Sequence, residues 1–338
     1  MTDFPTFDLK RLLETIFVPI KGLRTAILID LDHPTRIKEF DYLNREGYEV
    51  QKHAYEKFYK GLHSGVADEL GLSGCNIYAY KATGGSNLDL PDEAWKPTGE
   101  KVSLAKDVYP KYGLILCISD FSATAPLTAH AKKYGFRGAT LHGLNDIILS
   151  SGLCVDYNEI SVDAEKMRAG LSNADYFEID FEFFDQKTTL RLITNGQDAQ
   201  KSHGLCHGTE PDVANLPAGE VYYVPESAEG QFPMVYEHDT STMGLMTVED
   251  GKITTAELLE GSQATVDDHN KKMKNDPATG EIGELGLGTQ LLPVSGSDIQ
   301  DEKIRGTVHV ATGRSDHLGG DLTPNKFTEA GNATHDDI

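Results

Sequence analysis

The chain has 338 residues and sets 31 lysines and arginines against 53 aspartates and glutamates, for a formal net charge of −22. Such an acid excess argues against gripping a phosphate backbone or an anionic membrane surface, and it favours a cationic ligand such as a free amino terminus or a metal ion. Its 39 % apolar and 8 % aromatic content is enough for sizeable cores, yet no stretch reaches the roughly 20 apolar residues that a membrane helix needs.

The start, "MTDFPTFDLKRLLETIF", mixes acids among its apolar residues and lacks the basic-then-apolar layout of a signal peptide. "TAILIDLD" (25–32) reads as a buried strand, and "PTRIKEFDYLNREG" after it as a helix ending near Gly47. "NIYAY" (76–80) and "YGLILCISD" (112–120) are further strands, "APLTAHAKKYG" (125–135) is a helix stopped by glycine, and "GATLHGL" (138–144) is a last strand. Strands alternating with helices predict a largely parallel sheet covered on both faces. No glycine-rich phosphate loop follows any of these strands, and "ATGGSN" (82–87) fits neither the Rossmann nor the P-loop spacing. Cys75, Cys117, Cys154 and Cys206 lie far apart without a CxxC pair. That spacing argues against disulfides and thiolate zinc and fits a reducing cytoplasm.

Near residue 165 the pattern changes. "VDAEKMRAGLSNA" (162–174) predicts a helix closing one unit, and short, often alternating strands follow in "YFEIDFEFF", "TTLRLIT", "GEVYYVPE", "GLMTVEDGKITTAEL" and "IRGTVHVATG". "EDGK" is a hairpin turn signal, and "SQATVDDHNKKMKN" is a helix. The expectation is an α/β protein in two domains. Residues 1–165 form a mostly parallel α/β domain lining a cavity, and 166–338 form a β-rich α+β domain that binds metal.

Chemistry concentrates in the last third. In a strand, residues two apart share a face, so in "THDDI" His335 and Asp337 point together and Asp336 points away. In "RGTVHVATG", His309 shares its face with Thr307 and Ala311. Glu220 opens an apolar strand in "NLPAGEVYYVPE", and Glu284 sits in the glycine-rich, otherwise apolar "GEIGELGLGTQ". A carboxylate is not expected to be buried in such places without a partner. Glu281, in the more polar "ATGE", reads as surface. Three carboxylates and two histidines suit one or two divalent ions such as Zn²⁺, Co²⁺ or Mn²⁺.

"NLPAGEVYYVPE", "GELGLGTQ", "DEKIRGTVHVATG" and "HDDI" resemble, in order, the motifs of the M29 aminopeptidases, the aminopeptidase T group. The resemblance implies a two-metal centre held by Glu220, Glu284, His309, His335 and Asp337, with Glu284 bridging. It also implies a cytoplasmic hydrolase that removes amino-terminal residues from peptides with metal-activated water, walled partly by a second subunit of a homodimer. A branch of this superfamily, the 2,5-dihydroxypyridine 5,6-dioxygenases, binds one Fe(II). Those enzymes keep the HxD pair, carry histidine where this chain has Glu284, and lack counterparts of Glu220 and His309.

The family tyrosine after the "VH.A.G" histidine is replaced here by Asp316 and His317. His317, with Glu220, is expected to serve catalysis by replacing the tyrosine's hydrogen bond to substrate; the alternatives are altered activity and a solvated loop. Relatives continue past HxD with further strands, so a shortened edge or a truncated chain is expected after Ile338. Three readings therefore stand. The first is a metallo-aminopeptidase-like hydrolase, and the second is an Fe(II) ring-cleaving dioxygenase using His309, His335 and Asp337. The third is a non-catalytic relative that binds a peptide or partner protein. His203 and His207 in "HGLCH" read as loop polarity, His142 as structural, and no GxSxG elbow is present.

Overall fold

The structure, a computed structural model, describes residues 4–18, 21–236 and 239–337. Met1–Asp3 of the acidic start and Ile338 of the closing motif lie outside them. Two compact units are found. One comprises the chain through Glu165 with Ser202–Glu220 and Gly288–Thr307, and the other comprises Lys166–Lys201, Val221–Leu287 and the chain from Val308 onward. A single cut after residue 165 is thus replaced by a division in which 202–220 and 288–307 count with the first unit. The reason lies in packing: Val213–Asn215 adds an edge strand to that unit's sheet, and Ile299 joins its core.

The first unit's sheet runs in the order Val213–Asn215, Arg137–His142, Leu114–Ser119, Thr25–Leu31, Cys75–Lys81, Glu93–Trp95, Lys101–Ser103. Its first five strands are parallel and the last two antiparallel, so the α/β expectation holds. All seven residues of Thr25–Leu31 are buried, as a parallel strand covered on both faces requires. Ile27, Ile29 and Leu31 enter one core with Leu12, Leu13 and Ile16 of the Leu9–Phe17 helix. Ala26 and Leu28 enter the opposite core with Leu127 and Ala131 of the Thr124–Tyr134 helix. Each such Leu or Ile contributes roughly 1.5–3 kcal/mol on burial.

The helix expected from "PTRIKEFDYLNREG" is not a regular one. Pro34–Asn44 forms tight 3₁₀ turns interrupted at Lys38–Phe40, where Glu39 and Phe40 adopt φ of 50° and 58°. Glu39 N donates to Pro97 O at 2.8 Å, and the Phe40 ring lies 4.8 Å from Tyr55 and 5.7 Å from Tyr59. Those tertiary contacts override local helix propensity. The four cysteines are buried and unbridged, and no helix among the described residues is long and apolar enough to cross a membrane.

Strand order reverses between Thr25–Leu31 and Leu114–Ser119. There the buried Asp30 accepts from Asp120 N with both carboxylate oxygens, each at 3.0 Å. Gln51 Nε2 donates to Asp30 Oδ1 at 2.7 Å and to Asp120 Oδ2 at 2.9 Å. Burial, then the neighbouring Asp120 charge, pushes the Asp30 carboxyl up to about 7.

Two further five-stranded sheets draw most of their residues from the second unit. One is an antiparallel meander in the order Lys252–Glu260, Asp239–Glu249, Ser227–Tyr236, Gln186–Ile193, Tyr176–Phe183. Its "EDGK" turn has Asp250 at φ 49° and Gly251 at 78°, both in the left-handed region that a two-residue hairpin demands. Helix Gln263–Asn275 starts where Ser262 Oγ accepts from Thr265 N, and it buries Val266 and Met273 in the unit's core. The other sheet runs His335–Asp337, Val308–Gly313, Ile282–Gly288, Glu220–Tyr223, Gln200–Ser202.

An acid that holds its proton more tightly in the folded than in the unfolded state favours folding at low pH. That gain is lost as pH climbs from the ordinary value through the raised one. For Asp30 the window runs from 3.8 to about 7, so stability falls as pH rises across it, and Asp30→Asn flattens that fall. Urea denaturation of both proteins at several pH values checks this; equal slopes refute it.

Candidate metal centre

Register places the site. Across the three strands, Glu284 pairs with Ala311 and Ala311 with Asp337, while Gly286 pairs with His309 and Gly313 with His335. Directly paired residues share a face, as do residues two apart in a strand. Glu284, His309, His335 and Asp337 therefore all project from one side of this sheet. Asp336 points the other way, bonded to Thr334 Oγ1 at 2.8 Å and 3.8 Å from Lys272.

His335 Nε2 lies 2.9 Å from Glu284 Oε2 and 3.5 Å from Asp337 Oδ1. His309 Nε2 lies 3.8 Å from Glu284 Oε1 and 4.0 Å from Asp337 Oδ1. Donor atoms about 2.1 Å from a common ion stand roughly 3.0–3.4 Å from one another in octahedral or tetrahedral geometry. The observed separations bracket that range, and atoms of Glu284, His335 and Asp337 all fall within 4.8 Å of one another. Two imidazole nitrogens with two carboxylates suit Fe, Mn, Zn or Co. His335 Nδ1 donates to the carbonyl of Arg314 at 2.6 Å, which turns Nε2 toward the carboxylates, as metal-ligating histidines are oriented.

Without an ion these groups balance one another. Burial opposes the Glu284 charge, but hydrogen bonds from His309 and His335 outweigh it and hold the carboxyl well below its usual range. Burial likewise opposes a charged His335, yet Asp337 and Glu284 hold that imidazole well above its ordinary range.

His317 is not a solvated loop residue. Its side chain is 6 % exposed, its ring meets His335 edge-on at 5.0 Å, and its Nδ1 has no hydrogen-bond partner among the described residues. Burial, then the charge of His335, pushes its pKa well below the usual histidine value. Asp316 is engaged by Arg314 Nε at 2.7 Å. Glu220, in the first unit, receives Lys303 Nζ on its Oε1 at 2.7 Å. Glu281 pairs with Lys252 at 2.8 Å. His142 Nε2 lies 3.4 Å from Asp298, while His207 bonds the Thr15 carbonyl and His203 accepts from Leu205 N. These three histidines are engaged within the first unit.

Sequence reasoning missed three supports. Gly286 gives His309 its room, since a Cβ there would lie 2.1 Å from Cε1 and 2.2 Å from Nε2 of that ring. Arg314, 3 % exposed, offers its carbonyl to His335 and its N to Thr334 O at 2.7 Å. Asp276 Oδ2 accepts from Thr328 N at 3.0 Å, Glu329 N at 3.3 Å and Asn332 Nδ2 at 3.0 Å, tying down the segment that leads into His335. Only Gly286 carried a signal, its two-residue spacing from Glu284.

Among solved structures, that of 2,5-dihydroxypyridine dioxygenase from Pseudomonas putida KT2440 is similar to this chain. The TM-score is 0.62 at 14 % identity, covering 97 % of this chain and 90 % of that one. No family profile and no curated protein matches the sequence. The likeness shows a shared fold. It belongs to an enzyme of the type set out above as the alternative, and it gives aminopeptidase activity no support.

Gly286→Ala forces His309 aside and is expected to weaken divalent metal binding about 10–100-fold, the range seen when the groups orienting a ligand are lost. Calorimetric titration with Mn²⁺ or Zn²⁺ measures this; wild-type affinity in a folded Gly286→Ala protein would show that His309 is not a ligand.

Proposed function

We propose that the chain is a metal-dependent enzyme with one divalent ion held by Glu284, His309, His335 and Asp337, and that its reaction is oxidative cleavage of a small hydroxylated aromatic ring. The observation that carries this reading is the convergence of both Nε2 atoms and both carboxylates on one sheet face. Its support is a fold shared with a 2,5-dihydroxypyridine dioxygenase. Two histidines with a carboxylate form the ligand type of non-haem Fe(II) oxygenases, and bound Fe(II) supplies the redox chemistry that lets dioxygen react with an electron-rich ring.

The protein's own groups orient and protect. Gly286 and the Arg314 carbonyl fix the two imidazoles. His317, packed edge-on against His335, offers an uncommitted ring nitrogen that accepts from or donates to a ring hydroxyl.

A second reading, the hydrolase, keeps one observation in its favour. Glu284 stands where the ring-cleaving branch is expected to carry histidine, and a carboxylate-rich set suits Zn²⁺ or Co²⁺ activation of water.

Anaerobically purified protein is expected to carry Fe(II) and to consume dioxygen with 2,5-dihydroxypyridine or a related hydroquinone. His335→Ala should lose the ion and at least about 100-fold of that activity. Zinc- or cobalt-dependent turnover of aminoacyl amides, with no oxygen uptake on any ring, would hand the site to the second reading.

A further inference from the structure

The fully buried Lys303 lies outside the ligand set. Its side chain is 1 % exposed, its Nζ is 2.7 Å from Glu220 Oε1, and it also donates to Glu302 Oε1. Glu220 is itself buried and Glu302 partly buried, with side chains 7 % and 9 % exposed. The lysine's backbone is pinned as well: its N donates to Gln300 O at 3.0 Å and its O accepts from Gln290 N at 2.8 Å. A buried ammonium persists only where carboxylates neutralise it, and buried carboxylates in turn require a cation.

We propose that Lys303 is a built-in cation that serves Glu220 and Glu302 as a second metal ion otherwise would, so that the chain carries one metal ion rather than two. This rests on the one-ion reading above and explains how Glu220 coexists with it. An oxygen that accepts a short ammonium hydrogen bond has that lone pair occupied, and a fixed positive charge beside it repels a dication. The lysine thus selects against a metal ion at Glu220 and Glu302. Its own carboxylates are satisfied by a proton-bearing nitrogen, which supplies neither Lewis acidity nor redox chemistry. Among ionisable side chains this suits lysine, a compact point charge on a flexible stem, better than the planar arginine fork.

The test is metal content by mass spectrometry on anaerobically purified wild type, Lys303→Met and Glu220→Gln/Lys303→Met, each saturated with Mn²⁺ and then dialysed. Lys303→Met is expected to hold about one ion more than wild type, because Glu220 and Glu302 then need a cation. The double variant should return to the wild-type count. Wild type itself should hold about one ion. If wild type holds none, the one-ion reading fails, while the difference between the variants still judges Lys303. An unchanged count in folded Lys303→Met overturns the inference, as does a wild type with two ions. So does a Lys303→Met protein that remains unfolded, by circular dichroism, even when refolded with Mn²⁺. A Lys303→Met protein that folds only with Mn²⁺ supports it.

Discussion

Three strands in one register govern the site. Because side chains alternate across a strand, the pairing of Ile282–Gly288 with Val308–Gly313, and of that strand with His335–Asp337, decides which residues meet. A slip of one residue would send Glu284 to the opposite face in the first pair, or His335 and Asp337 in the second. The Ile282/Glu284 irregularity, where two residues of one strand oppose a single step of the other, sets that phase for Glu284. Gly286 then leaves open the space that the His309 ring fills. Backbone hydrogen bonding does most of the placement of these four side chains.

What the register brings together, charge must keep together. Four ionisable groups with little access to water would repel or neutralise one another if their signs did not alternate. Here Glu284 sits between two imidazoles, and His335 sits between two carboxylates. Asp337 and Glu284 raise the pKa of His335, so a dication would compete with a proton for that imidazole. The Arg314 loop holds the geometry during that exchange. Its carbonyl keeps His335 Nδ1 engaged whichever species occupies the other ring nitrogen.

The α/β class, the parallel order of the first sheet and the hairpin at "EDGK" were legible in the sequence because each rests on a local signal: apolar runs, terminating glycines, a turn dipeptide. That His335 and Asp337 share a face was legible for a related reason, since HxD in a strand fixes it without knowledge of the partner strand, whereas Glu284 and His309 were singled out by a family resemblance and reach that face only through the register. The division of the chain was not, because segments 202–220 and 288–307 join the first unit through contacts with residues far away in sequence. The break at Lys38–Phe40 was hidden too, as it answers to aromatic rings at Tyr55 and Tyr59. Lys303 escaped notice because a lysine in "DEKIRG" looks like solvated charge; only burial shows it as the counter-ion of Glu220 and Glu302. His317 carried no periodic signal, and its 6 % exposure could not be guessed from "GRSDHLGG".

Fold likeness and donor chemistry pull in different directions, and coordination arithmetic reconciles them. An ion with all four side chains as ligands has no place left in a tetrahedral shell and two in an octahedral one. Ring cleavage needs room for both the substrate and dioxygen, and hydrolysis needs room for water and a carbonyl. An octahedral shell therefore accommodates either reaction with all four side chains in place, and only a tetrahedral one would require a ligand to yield. Glu284 is a poor candidate, since it is buried and faces both imidazoles. The imidazoles are fixed by Gly286 and Arg314. Asp337 is the most exposed of the four, with 24 % of its side chain open to water, and its distances to the two histidines, 3.5 and 4.0 Å, are longer than that of the Glu284–His335 contact. If a tetrahedral ion were bound, Asp337 would therefore be the side chain of the four best placed to give way, its charge passing to solvent.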